Sequence, residues 1–132
     1  MIKEDITSKE RKKLIKAQQG ELDAVIVYKK LSSILKEEEY KKTFLSIAAD
    51  EGKHAAILKK YTEEKLIPKK LKANFVYIIY SIFGLKFTLG ILEKGEFKAA
   101  EAYLPLQDKF KAIKEILDDE KRHGELMNNM KK

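Results

Sequence analysis

Two Glu-x-x-His motifs, one from Glu51 to His54 and one from Glu120 to His123, contain the residue types that bind transition metals. Residues three apart on a helix point to the same side, so each motif presents a carboxylate and an imidazole on one turn. Hard carboxylate oxygens and neutral imidazole nitrogens suit Fe(II), Fe(III) or Mn(II). The two motifs therefore predict a site for such a metal.

A second pattern precedes each motif. A Gly-Glu pair contains Glu21 seven residues before Tyr28, and another contains Glu96 seven residues before Tyr103. The chain is thus a duplicated unit of Gly-Glu-x6-Tyr followed by Asp-Glu-x-x-His. Four Glu and two His in this order suit a pair of metal ions between four helices. The candidate metal ligands are Glu21, Glu51, His54, Glu96, Glu120 and His123.

The elements that carry these residues are predicted to be helices in two antiparallel hairpins. Thr7 and Glu10 have the spacing of a capping box, which marks the start of the first helix. Pro68 interrupts the chain between the hairpins, and residues 65–80 are expected to form a long crossover, which is long enough to cross the bundle even if residues 75–80 are a short helix. The four helices are predicted near 8–35, 38–64, 82–104 and 108–130.

Each predicted helix has one apolar stripe, and a candidate ligand lies within every stripe. Glu21 follows Leu14 at helical spacing, and Glu51 lies between Ile47 and Leu58. A carboxylate in a core position is costly unless it is paired or bound to a metal. The repeated replacement of apolar residues by Glu therefore supports metal binding more strongly than one motif does.

Composition narrows the class of protein. The chain has 132 residues, which predicts a single domain over 1–132. It contains no Cys, which excludes disulfides, iron–sulfur clusters and thiolate metal sites within this sequence. The net charge is +7, but the Lys residues are scattered among acidic neighbours, so we expect a solvated outer face and no nucleic-acid partner.

Two segments bear on membranes and location. The apolar run Phe75 to Leu92 contains Gly84 and Gly90 and is interrupted by Lys86, and its 18 residues are at the lower limit for a membrane span. We expect a buried crossover and no membrane partner. The charged stretch Met1 to Arg11 has no apolar core typical of a signal peptide, so a cytoplasmic location is expected.

The chain resembles the ferritin-like superfamily, most closely the rubrerythrin family. The resemblance covers residues 8–130 and rests on GELDAVIVYKKL at 20–31, on ADEGKH at 49–54 and on the duplicated order of motifs. It implies an all-α, ferritin-like up-down four-helix bundle with a long crossover between helices 2 and 3. It also implies two Fe ions, with Mn possible, that Glu51 and Glu120 bridge, and reduction of H2O2 or O2 in oxidative-stress defence.

Two departures from the rubrerythrin pattern affect the expected reaction. The rubredoxin-like domain, which holds iron through four Cys, has no counterpart in this sequence, so we expect an external donor such as a rubredoxin or a flavoprotein. Ala99 stands where rubrerythrins have an additional Glu, which leaves a six-ligand set like that of bacterioferritin. A ferroxidase or iron-storage subunit is therefore the alternative, and a metal-free helical scaffold is a third.

The remaining polar residues of the repeat have two interpretations each. Tyr28 and Tyr103 either orient a ligand carboxylate through the phenol or are core aromatics with a satisfied hydroxyl. Asp50 and Asp119 either accept a proton from a ligand His or are exposed neighbours of the motif. We expect a homodimer or another small homo-oligomer, whereas a storage protein would form a 12-mer or a 24-mer.

Overall fold

The computed structural model describes residues 5–132 and contains four α-helices and no strand within that range. The helices are α1 (Ser8–Ile34), α2 (Glu38–Thr62), α3 (Leu71–Tyr103) and α4 (Ile113–Lys131), and a 3₁₀ turn covers Leu104–Leu106. The all-α, ferritin-like fold class is confirmed.

The chain divides into two compact units, one ending at Tyr77 and the other covering Ile78–Lys132. Each unit contains one copy of the duplicated motif: α1 and α2 carry the first copy, and the later part of α3 with α4 carries the second. The prediction that residues 1–132 form one domain stays a prediction.

The first hairpin follows from local sequence signals. The predicted capping box is present, because the Thr7 hydroxyl accepts from the Glu10 backbone N–H at 3.1 Å and the Glu10 carboxylate accepts from the Thr7 N–H at 3.0 Å. Helix α2 has acidic residues in its first turn and Lys59 and Lys60 in its last, an arrangement that complements the helix dipole. It ends at Thr62 and is capped by Glu63, whose φ of 57° is left-handed.

The crossover is shorter than predicted. Helix α3 begins at Leu71, directly after Pro68 and two Lys residues, so the non-helical connection is limited to residues 63–70. The helix is interrupted at Gly84, whose φ of 86° and ψ of −179° are not helical. This backbone conformation is readily accessible only to glycine, so Gly84 divides α3 into a first part, residues 71–83, and a second part, residues 85–103.

The expectation of a buried crossover is wrong. Phe75, Ile78, Ile82 and Phe83 are each more than half exposed. The most apolar 18-residue window of the helical stretch Leu71–Leu106 has a mean hydropathy of 1.8, and only 22% of it is buried. By length and composition this stretch could cross a membrane, but such a helix is weak evidence of a span. Within residues 71–83, Ala73 and Val76 are buried, so the side of the helix that carries them packs on the protein.

The second hairpin has a longer turn than predicted. Pro105 lies in the 3₁₀ turn, residues 107–112 form further turns, and α4 begins at Ile113 and not at residue 108. The side chains of Leu106, Phe110 and Ile113 are buried in this turn.

Candidate metal centre

The first candidate set lies between α1 and α2. The Nδ1 atom of His54 is 3.4 Å from Oε2 of Glu21 and 3.2 Å from Oε1 of Glu51. All three side chains are buried. Each residue offers one ligand atom, and these atoms lie within 4.8 Å of one another. One imidazole nitrogen therefore faces two carboxylates at a separation that one metal ion can bridge.

The second candidate set repeats this arrangement between α3 and α4. The Nδ1 atom of His123 is 3.7 Å from Oε2 of Glu96 and 3.6 Å from Oε1 of Glu120. These side chains are also buried, and their ligand atoms lie within 4.8 Å of one another. The structure thus brings the predicted ligands together within each unit as the duplicated sequence implies.

The donor chemistry of each set fits a divalent metal ion. Two carboxylates and a neutral imidazole carry a formal charge of −2, and one M²⁺ ion neutralises that charge. Protonation of the imidazole would leave one negative charge uncompensated in a buried position, which is unfavourable. Carboxylate oxygen and imidazole nitrogen are also the ligands that Fe and Mn accept. The residues present therefore fit a bound metal better than they fit an apolar core.

Packing around the first set holds its helices close together. The ring of Tyr28 stacks on that of Phe44, with the centroids 5.8 Å apart and the planes 13° from parallel. At the other end of the hairpin, the Arg11 guanidinium donates to the carbonyl of Thr62 at 2.7 Å and forms an ion pair with Glu64. These contacts lie on both sides of Glu21 along α1, so they set the register between the helices that carry the ligands.

Around the second set, α3 and α4 pack through a phenylalanine and a glycine. The Phe97 ring lies over Gly124, where a Cβ atom would come within 2.7 Å of the ring. Phe97 follows the candidate ligand Glu96, and Gly124 follows the candidate ligand His123. Farther along, Lys131 forms an ion pair with Glu93. The absence of a side chain at Gly124 therefore lets α3 and α4 approach closely next to the ligands.

The sequence leaves two roles open for each of four polar residues, Tyr28, Tyr103, Asp50 and Asp119. Tyr28 and Tyr103 are buried, each at 3% exposure, as both interpretations require. Asp50 and Asp119 are half-buried on their helices, and Asp119 accepts from the Arg122 guanidinium at 3.3 Å. An orienting role for the two Tyr residues stays a prediction.

One buried acid, two residues after Glu21, was not predicted from the sequence. Asp23 is 5% exposed and accepts from the Gln19 side chain and from the backbone N–H of Lys69, both at 2.8 Å. The hydrogen bond from Lys69 therefore holds the chain directly after Pro68 against α1. The sequence contained only a weak signal for this role, namely an acidic residue on a part of the helix that is otherwise apolar.

Comparison with known proteins agrees with this geometry. The family model described as Rubrerythrin matches residues 12–131, which include both candidate sets. Searches of curated proteins and of solved structures found no significant match. The match covers nearly the whole chain and includes every candidate ligand, and the chain therefore belongs to the rubrerythrin family.

Proposed function

We propose that this protein is a di-iron or di-manganese oxidoreductase that reduces H2O2 or O2 with electrons from an external donor. The observation that carries the proposal is the pair of buried Glu/Glu/His sets, each with an imidazole nitrogen facing two carboxylates at 3.2–3.7 Å. Family membership supports the pairing of the two sets around a di-metal site. The physiological role that we propose is defence against oxidative stress.

Within this proposal the chain supplies the ligands and the environment. Glu21 with His54, and Glu96 with His123, would each hold one metal, and Glu51 and Glu120 would supply the remaining carboxylate ligands. Two redox-active metal ions held there would supply the two electrons that reductive cleavage of an O–O bond requires. Reduction of one H2O2 to two water molecules consumes two protons and two electrons, and the external donor would be the source of the electrons.

Buried side chains around the ligands determine what reaches them. Tyr28 and Tyr103 place phenol groups on the same helices as Glu21 and Glu96, two turns along, where an O–H group can orient a carboxylate. Apolar neighbours such as Leu58 and Leu117, which are at most 2% exposed, exclude water. A dry site strengthens the attraction between the carboxylates and the metals.

The electron donor is proposed to be a separate protein, a rubredoxin or a flavoprotein, because the 132 residues contain no Cys for an iron relay. The net charge of +7 favours an acidic donor through long-range attraction. Turnover supported by such a donor is expected to slow as salt concentration rises.

One observation favours a second candidate function. Ala99, one turn after Glu96, is half-buried and offers no metal ligand where rubrerythrins have an additional Glu. With six ligands, the site resembles that of a ferroxidase or iron-storage subunit. Such a protein would prefer O2 and would accumulate iron beyond two ions per chain.

Stopped-flow oxidation separates the two functions. Protein loaded anaerobically with Fe(II) is mixed with H2O2 and, separately, with O2, and the formation of Fe(III) is followed by absorbance. We expect faster oxidation by H2O2, with two irons oxidised per peroxide. Faster oxidation by O2, with mineral growth beyond two irons per chain, would favour the storage function instead. Ala99→Glu is an informative variant, since it restores the acidic residue of the family pattern.

A further inference from the structure

The net charge of the protein is concentrated at one end of its first hairpin. Residues 5–16 and 59–72 together contain eleven Lys or Arg residues and four Asp or Glu residues, a net charge of +7. The whole chain also has a net charge of +7, so its other residues are neutral as a group. We call these two stretches together the basic end.

Side-chain contacts bring the two stretches of the basic end together. The Arg11 guanidinium donates to the carbonyl of Thr62 and forms an ion pair with Glu64. All ten lysines of the basic end are exposed. Like charges that lie close together repel one another and oppose compact folding. An acidic partner bound at this end would relieve that repulsion.

The connection, residues 63–70, runs along α1 at the level of the first candidate set. The Gln19 side chain donates to the carbonyl of Ile67 at 2.9 Å, and the Asp23 carboxylate accepts from the Lys69 N–H at 2.8 Å. Glu21 lies midway between Gln19 and Asp23 in sequence, about 200° from each around a helix of 3.6 residues per turn. The connection is therefore on the opposite side of α1 from Glu21, one helix width away, or about 10–12 Å.

Within the connection, an exposed apolar side chain is flanked in sequence by basic ones. Ile67 is 76% exposed, and Lys65, Lys69 and Lys70 are also exposed. None of these three lysines forms an ion pair with any residue between 5 and 132. An apolar centre with a polar rim is the usual arrangement of a protein–protein interface. The hydrogen bonds to α1 hold this surface in place before a partner arrives.

We propose that the connection is the surface on which the acidic electron donor docks, with Ile67 at the centre of the contact and Lys65 and Lys70 at its rim. This inference rests on the proposed function, which needs an external donor. Each H2O2 takes up two electrons and two protons and forms two water molecules, so a one-electron carrier docks twice for each peroxide. The carrier must leave after each transfer, and contacts of this kind are small and electrostatically steered.

A nucleic acid or a membrane fits this surface less well. Residues 63–70 contain no aromatic side chain on which a base could stack. Among these residues Ile67 is the only exposed large apolar side chain, and a helix that binds a membrane surface needs a whole apolar face. An acidic protein offers carboxylates to the lysines and an apolar patch to Ile67.

Charge reversal tests the docking surface. Lys65→Glu/Lys70→Glu lowers the net charge from +7 to +3 and changes no candidate metal ligand. Peroxide reduction by the metal-loaded chain is measured with a reduced, negatively charged rubredoxin as the donor, whose oxidation is followed by absorbance. At about 0.1 M salt, kcat/KM for the rubredoxin should fall by about 10-fold, because steering and the rim contacts are lost together. An unchanged value would overturn the proposal.

The matched control is Lys36→Glu/Lys42→Glu. Both lysines are exposed, and they lie near the turn between α1 and α2, at the other end of the same hairpin. This variant has the same net charge of +3. We expect kcat/KM to fall by only about 2-fold, because residue 36 is ~20 Å along the hairpin from the connection, beyond the Debye length of about 10 Å. An equal fall in both variants would show that only the total charge matters and would overturn the proposal.

Ile67→Gln tests the apolar centre separately. The side chain is exposed, so the variant should keep its fold and its metal content. We expect kcat/KM to fall by about 5-fold at low and at high salt alike, because salt does not screen an apolar contact. The effect of Lys65→Glu/Lys70→Glu should instead shrink as NaCl is raised. No loss in Ile67→Gln would contradict a contact centred on this residue.

Two measurements separate a failure of docking from a failure of the proposed function. Single-turnover oxidation of the Fe(II)-loaded chain by H2O2 needs no donor, so its rate should be equal in the natural protein and in all three variants. Zinc-substituted rubredoxin transfers no electrons, and its binding, measured by NMR chemical-shift changes, reports docking alone. Binding that is lost in Lys65→Glu/Lys70→Glu and kept in Lys36→Glu/Lys42→Glu would support the docking surface even if peroxide were not reduced.

The same variants test other anionic partners. Duplex DNA and phosphatidylserine vesicles are offered to the metal-loaded chain at the salt concentration used for rubredoxin. We expect both to bind more weakly than the rubredoxin does. Tighter binding of either one, lost in Lys65→Glu/Lys70→Glu, would assign the basic end to that polyanion and refute a docking surface for an electron donor.

Discussion

Replacement of glycine by alanine is expected to have opposite effects on stability at Gly52 and at Gly124, because Gly124 is in close contact with Phe97. Gly52 and Gly124 are both in helices next to candidate ligands, and alanine improves helix propensity by up to about 1 kcal/mol at such positions. A Cβ atom at Gly52 would meet only Val25 Cγ2 at 3.9 Å, an ordinary contact. Gly52→Ala should therefore stabilise the protein by up to about 1 kcal/mol.

At Gly124 the same change creates overlap. The added Cβ atom would lie 2.7 Å, 2.8 Å and 3.0 Å from three atoms of the Phe97 ring. Phe97 is 37% exposed, so its ring can move towards solvent, but it then loses its packing against α4. Overpacking of this kind costs about 1–3 kcal/mol. Because the gain in helix propensity is the same at both sites, Gly124→Ala should be less stable than Gly52→Ala by about 1–3 kcal/mol.

Thermal and urea unfolding of the metal-free proteins measure this difference. For a chain of this size, about 1 kcal/mol corresponds to roughly 3–5 °C in Tm, so the two variants should differ by several degrees. Phe97→Leu removes the ring atoms that cause the overlap. In that background, Gly124→Ala should stabilise as Gly52→Ala does. If Gly124→Ala raised Tm as much as Gly52→Ala in the natural sequence, the argument from packing would be refuted.

Three further predictions concern the metal and its surroundings. Purified protein should bind close to two Fe or Mn ions per chain, as measured by elemental analysis. Glu51→Ala or Glu120→Ala should lower the occupancy of both metal sites, whereas Glu93→Ala should leave two ions bound. Loss of a single ion from Glu51→Ala or Glu120→Ala would contradict the proposal that these residues bridge the metals. Metal-free protein should melt at a lower temperature than metal-loaded protein, because like charges in a buried site repel each other. Glu21→Ala removes one of these charges and should partly raise the Tm of the metal-free protein. Equal melting points of the metal-free and metal-loaded proteins would show that the site is not strained. Asp23→Ala should cost about 1–3 kcal/mol, because two part-buried hydrogen bonds to a charged carboxylate are lost, from the Lys69 N–H and the Gln19 side chain. The metal count should stay at two. A stability equal to that of the natural protein would show that these contacts are dispensable.

The sequence by itself determined the candidate ligands and predicted the helices that carry them. The Glu-x-x-His spacing is local, so it places Glu51 beside His54 on any α-helix. Helical periodicity then predicted that both face the core, and both are buried. The capping box at Thr7 and the turn after Ile34 also follow from neighbouring residues, which explains why α1 and α2 lie close to their predicted bounds.

Other features were decided only by the tertiary structure. Hydropathy cannot show whether an apolar helix face is covered, because a buried stripe and an exposed one have the same composition; the exposure of Phe75 and Ile82 depends on what packs against α3. The break at Gly84 is a backbone state that glycine permits but does not require. The roles of Asp23 and Gly124 depend on contacts with Lys69 and Phe97, 46 and 27 residues away in sequence, and local pattern carries no information about such contacts.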